Sequence, residues 1–294
     1  MENLSYILYK YKDIISLLLA ILIIVTSAEL FYFKQPAEAH KLSSNENSLL
    51  LKMLYQIHVE ALLVQTNFPL NKILAHEHAI NAAELLNKNW TNVVADRNIV
   101  ANFLSPTLND LNKLTESTNT SYSEIKGKVG ALDSIISQFI LLYMDDKLFY
   151  NTSIQALILA ELLNEINDRY GKAFGVTINS SSMNMSPMTD KKPLNTMGMM
   201  VGNSINHMNT QTVSSMADYQ TAQALSVQAK EIFNKNLKPI APINATNANI
   251  ELEQDINQLQ NAIGSKAPVM DIMKIVHVQI HPILISTYNL QLKR

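Results

Sequence analysis

Apolar residues fall into two patterns along this chain. Residues 14–33, IISLLLAILIIVTSAELFYF, form one nearly unbroken apolar run. From residue 43 onward apolar positions recur at three- and four-residue intervals, the period of an amphipathic helix. In SLLLKMLYQIHVEALLVQ they fall at 50, 54, 57, 61 and 64, behind a polar Ser43-Ser44-Asn45-Glu46-Asn47 that supplies capping groups. Asn67-Phe68-Pro69 ends that helix, because proline lacks an N–H and restrains the residue before it. LNKILAHEHAINAAELLNK starts a second helix. Residues 89–118 are less regular, and Pro106 is placed in the first turn of a short helix ending near Leu114. Long helices follow over Ser121–Tyr150 and from Thr152 to about Phe174.

Periodicity then vanishes. Residues 176–213 are dominated by Ser, Asn, Thr, Met and Gly and predict a loop. Helical patterns return in MADYQTAQALSVQAKEIFNKNL, stop at Pro239 and Pro242, and resume in ANIELEQDINQLQNAI. The last pattern, PVMDIMKIVHVQIHPILISTYNLQLK, contains Pro282, which predicts a kink or a division. The expected fold is all-α: an antiparallel bundle of about seven or eight helices, interrupted by one Met/Ser/Asn-rich loop. Residues 41–175 and 214–294 supply its two parts. One bundle is expected rather than two subdomains, because the final helices alone would bury too little surface.

The run at 14–33 has the length of a transmembrane helix, which needs roughly 20 apolar residues. Lys10 and Lys12 precede it, so the positive-inside rule puts residues 1–12 in the cytoplasm and the chain beyond the span outside the cell. Aromatic residues flank both ends: Tyr6, Tyr9 and Tyr11 before it, Phe31, Tyr32 and Phe33 at its end. Such belts favour a retained anchor over residues 13–34. A cleaved signal is the alternative, since Ile14–Val25 matches a signal core and Ala37-Glu38-Ala39 or Thr26-Ser27-Ala28 a cleavage site.

Composition narrows the chemistry. There is no cysteine, which removes disulfides, thiolate metal sites and cysteine nucleophiles. The net charge of −2 comes without a basic stripe, so nucleic acid is not an expected partner. Six N-x-S/T sequons, at Asn89, Asn119, Asn151, Asn179, Asn184 and Asn244, fit an exported, glycosylated surface, although an Asn-rich chain also produces sequons by chance.

Eight of the thirteen methionines fall between residues 183 and 216. Thioether is a soft, neutral ligand suited to Cu(I). Met183, Met185 and Met188, then Met197, Met199 and Met200, form MxM and MxxM spacings. These resemble the motifs of extracytoplasmic copper-handling proteins, including the extracellular tails of copper transporters. The likeness spans only this segment, and sticky loop methionines are the plainer reading. More broadly, the Asn/Ile-rich, cysteine-free, sequon-bearing helical pattern resembles exported, membrane-anchored proteins of ammonia-oxidising archaea. That resemblance implies a copper-dependent setting.

Histidines supply the second ligand set. His58 lies on the first helix beyond the span, and His78 shares the face of Leu74, Ala82 and Leu85, so it points inward. His277 and His281 are four residues apart, a half-site for Zn or Cu if the helix continues, with Met270 and Met273 on the same side. A four-histidine centre of His58, His78, His277 and His281 requires the first, second and last helices to be neighbours. Hydrogen-bonded core histidines are the simpler expectation for each.

Enzyme templates do not fit. His76-Glu77-His78 lacks the second histidine of H-E-x-x-H, and no histidine follows a glutamate by three residues as di-iron bundles require. The expected function is therefore not catalytic. It is a membrane-tethered metal-binding protein, copper preferred, acting in capture or delivery to a membrane protein such as a copper enzyme. The alternative is a metal-free accessory or structural subunit of a membrane or cell-surface complex.

Overall fold

In a computed structural model, residues 44–93, 97–143, 150–176 and 212–290 are described. The expected span at 13–34 and the methionines 183–208 lie outside these residues. Every regular element among the described residues is helical, as the 3.6-residue period predicts.

Helix α1 (Ser44–Asn67) is the hub. Its predicted stripe, Leu50, Leu54, Ile57, Ala61 and Val64, is fully buried, and Leu51, Met53, Val59 and Glu60 are buried as well. A helix enclosed on this many sides needs neighbours all round. Helix α2 (Lys72–Val93) packs along it after a turn at Phe68–Leu70. Helix α3 (Arg97–Glu116) packs on α2, and α4 (Tyr122–Tyr143) returns to α1, closing an antiparallel set. Ser121 and Glu124 start α4 with a reciprocal cap: Glu124 N donates to Ser121 Oγ at 3.3 Å, and Ser121 N donates to the Glu124 carboxylate at 2.7 Å.

The second set packs on the other side of α1. Helix α5 (Thr152–Ala173) begins at Asn151, whose side chain accepts from the N–H groups of Ser153 and Ile154. Helix α6 (Met216–Ile232) packs on α5 and α1, and α7 (Thr246–Gly264) packs on α6. The C-terminal stretch comprises α8 (Val269–Lys274), a π-helical turn (Ile275–Ile280) and α9 (His281–Tyr288), and it runs antiparallel to α5. One hydrophobic core runs through both sets.

One expectation about proline is corrected. Pro106 lies inside α3, not in its first turn. Its ring is exposed, so the backbone carbonyl it leaves without a helical partner can turn to water. At Pro282 the last pattern is divided as expected: the proline sits in the first turn of α9, and a π turn precedes it, in which His281 N–H reaches back five residues to Val276 O. Phe233–Leu237 forms a second π turn, just before Pro239. A proline ring crowds the carbonyl four residues back, and a wider turn relieves that crowding.

Among the described residues, Val269–Tyr288 has the length and composition to cross a membrane. Its Ile272, Val276, Ile280 and Leu284 are buried in the core, and its outer side exposes Asp271 and Lys274. It is a bundle helix.

Candidate functional site

The predicted histidines go to three separate places. His58 is half-buried on α1, with Nδ1 at 2.7 Å from Asp133 on α4. His78 is fully buried on α2, and its Nδ1 lies 2.7 Å from Glu60 Oε2. Its Nε2 is 2.9 Å from Gln220 Oε1 on α6. His277 and His281 stand together on the C-terminal helix. The expected four-histidine centre is therefore not formed, because the last helix packs on α5 and α7 while His58 and His78 face α4 and α6. Among the described residues no group of three or more His, Asp or Glu is placed to hold a metal.

The inward reading of His78 holds, but its acid partner is not apparent in the sequence. Glu60 has no solvent exposure; its other oxygen accepts from Thr221 Oγ1 at 2.9 Å. Three apolar positions of α1 surround it in sequence, Ile57, Ala61 and Val64, and a carboxylate within such a stripe is the one available signal. Nearby on α5, Arg169 bridges Glu165 and Asp218, each at 2.9 Å. Burial opposes the Glu165 charge, but Arg169 and Lys52 outweigh it and hold that carboxyl below its usual range.

The C-terminal pair has the geometry closest to a ligand site. His277 Nδ1 stands 3.2 Å from His281 Nδ1, with the rings edge to face. Two nitrogens bound to one tetrahedral ion at roughly 2.0–2.1 Å stand about 3.3 Å apart, so the separation matches a metal's bite. It also matches one N–H···N hydrogen bond. Burial lowers the pKa of both rings; for His281, burial and then its neighbour His277 bring it down to about 4, against the pull of the Ala160 backbone. Both are therefore neutral near pH 7, the form a metal requires. Asn167 Nδ2 donates to His277 Nε2 at 3.1 Å. Two buried polar atoms at this place have no hydrogen-bond partner, His281 Nε2 and Asn167 Oδ1.

Of the expected methionine ligands, Met183, Met185, Met188, Met197, Met199 and Met200 lie outside the described residues. The described residues that flank that segment meet at one point: Ser214 N donates to Ala173 O at 2.8 Å, and Ser215 N to the same oxygen at 3.3 Å. Asn167 is six residues before Ala173 on α5, so the histidine pair lies about 9 Å along the axis from that point.

Of the sequons, Asn119 is exposed in a turn, Asn244 is exposed in a short 3-10 helix, and Asn151 is exposed while capping α5. Asn89 lies in α2, and Asn179 and Asn184 fall outside the described residues. Comparisons with known protein families, with curated proteins and with solved structures find no match to this chain.

Proposed function

We propose that the chain is a non-catalytic, membrane-tethered extracytoplasmic protein that holds a soft or borderline cation, Cu(I) in preference, for capture or delivery to a membrane protein. The observation that carries this reading is the 3.2 Å approach of His277 Nδ1 to His281 Nδ1. Two neutral imidazoles at that spacing form half of a tetrahedral shell. The preference for Cu(I) over Zn(II) rests on the thioethers of Met183–Met200, and the tether on the apolar run at 14–33.

The test is a Cu(I) titration of the full chain against a chelator of known affinity, with Zn(II) in parallel. Tight one-to-one binding that weakens in both His277→Ala and His281→Ala supports the histidine pair. A further loss in Met183→Leu/Met185→Leu/Met188→Leu brings in the thioethers. Binding no tighter than nonspecific uptake overturns the reading.

A second reading is a metal-free accessory or structural subunit of a membrane complex, supported by His58 and His78 each being engaged by a carboxylate within the bundle. It predicts that a partner co-purifies with the chain and that changes within residues 13–34 release it, with no effect of the histidine substitutions.

A further inference from the structure

We infer that the side-chain amide of Asn167 selects which nitrogen of His277 carries the proton, and so acts as the positioning residue for the His277–His281 pair. The inference rests on the metal reading above for its consequence, but not for its geometry.

As placed, Asn167 Nδ2 donates to His277 Nε2, which must then offer its lone pair. The ring proton is left on Nδ1 and is donated to His281 Nδ1, 3.2 Å away. In this state the two nitrogens satisfy each other, and His277 has no free lone pair facing its partner. A cation shared by both Nδ1 atoms needs the proton of His277 on Nε2 instead, where His281 already carries its own.

The same structure holds the means to make the change. Asn167 Oδ1 is buried with no hydrogen-bond partner. A half-turn of the amide exchanges Oδ1 and Nδ2, so that Oδ1 accepts a proton from His277 Nε2 and Nδ1 is freed. Metal-bound histidines characteristically donate their second N–H to a fixed oxygen, which sets tautomer and ring orientation. Asn167 presents an oxygen in one orientation and blocks the site in the other. The substitution Asn167→Asp presents oxygen in both orientations, and Asn167→Leu in neither.

The experiment is long-range ¹H–¹⁵N NMR of the histidine rings in wild type, Asn167→Asp and Asn167→Leu, each with and without Zn(II), beside Zn(II) affinities. The expected metal-free tautomer of His277 is Nδ1–H in wild type and Nε2–H in Asn167→Asp. Zn(II) is expected to shift the wild-type ring to Nε2–H. Loss of an outer-shell partner weakens metal binding by about 10- to 100-fold, so Asn167→Leu should bind that much more weakly than Asn167→Asp. An unchanged His277 tautomer in Asn167→Asp overturns the inference. So does Asn167→Leu binding as tightly as wild type while His277→Ala does not. Should Asn167→Asp not fold, the wild-type tautomer decides: Nε2–H before metal is added overturns it. If His277→Ala and His281→Ala both bind Zn(II) like wild type, the metal reading fails, and the metal-free tautomers still judge Asn167.

Discussion

Glu60 and His78 share two protons between them in the core, across a 2.7 Å contact from which solvent is excluded. The count follows from the hydrogen bonds. Asn67 Nδ2 donates to Leu63 O, which fixes the orientation of that amide. Gln220 Oε1 then accepts from Asn67 Nδ2 at 2.8 Å, so the atom it turns to His78 Nε2 is an oxygen. His78 Nε2 must hold a proton, and the second proton lies between Nδ1 and Glu60 Oε2. The pair is neutral overall, as burial requires.

Removing one partner strands the other. Glu60→Met or His78→Leu alone should cost about 3–5 kcal/mol, the range for breaking a buried ion pair. The double variant should cost clearly less than the sum. Urea unfolding of the four proteins measures this, and strictly additive losses would show that the two groups do not depend on each other.

Acid should weaken the metal-free fold through His281. Its pKa is about 4 in the folded chain against an ordinary 6.5, so the unfolded chain takes up the proton first as pH falls. The folded pKa is the lower one. The contribution is therefore present above pH 6.5 and lost between there and pH 4, on the order of 3 kcal/mol in full. Thermal unfolding from pH 7 to 4 should show that loss in wild type and a flatter profile in His281→Gln. Identical profiles would mean the ring is not held neutral.

Tyr170 ties α5 to the link between α7 and α8, its fully buried side chain donating to Ala267 O at 2.6 Å. Tyr170→Phe leaves that carbonyl unpaired and should cost about 1–2 kcal/mol. A melting temperature unchanged from wild type would show that the carbonyl finds another donor.

Much of this architecture could be read from the chain. The stripe at 50, 54, 57, 61 and 64, the turn at Pro69 and the inward face of His78 follow from local period and proline chemistry, which act within a few residues. The misplaced features depend on distant partners. Pro106 is tolerated inside α3 because its side of the helix meets solvent, and no local pattern says which side that is. Asn167 meets His277 across 110 residues of sequence. Glu60 finds Thr221 across 161. The pairing of His277 with His281 was visible as a spacing, but the π turn that carries His277 was not.

The tether makes a cell-level prediction. If residues 13–34 remain as an anchor, the protein stays with membranes through alkaline carbonate washing. Recovery in the wash would favour cleavage near Ala39 or Ala28.

Because Ala173 O receives the N–H groups of both Ser214 and Ser215, the described residues on either side of the methionine-bearing segment are tied directly to each other. Doubling the length of a flexible loop costs only about 0.6 kcal/mol in closure entropy. The ends of residues 177–211 are held together by main-chain bonds of their flanks, so a change of sequence within the segment leaves that closure in place.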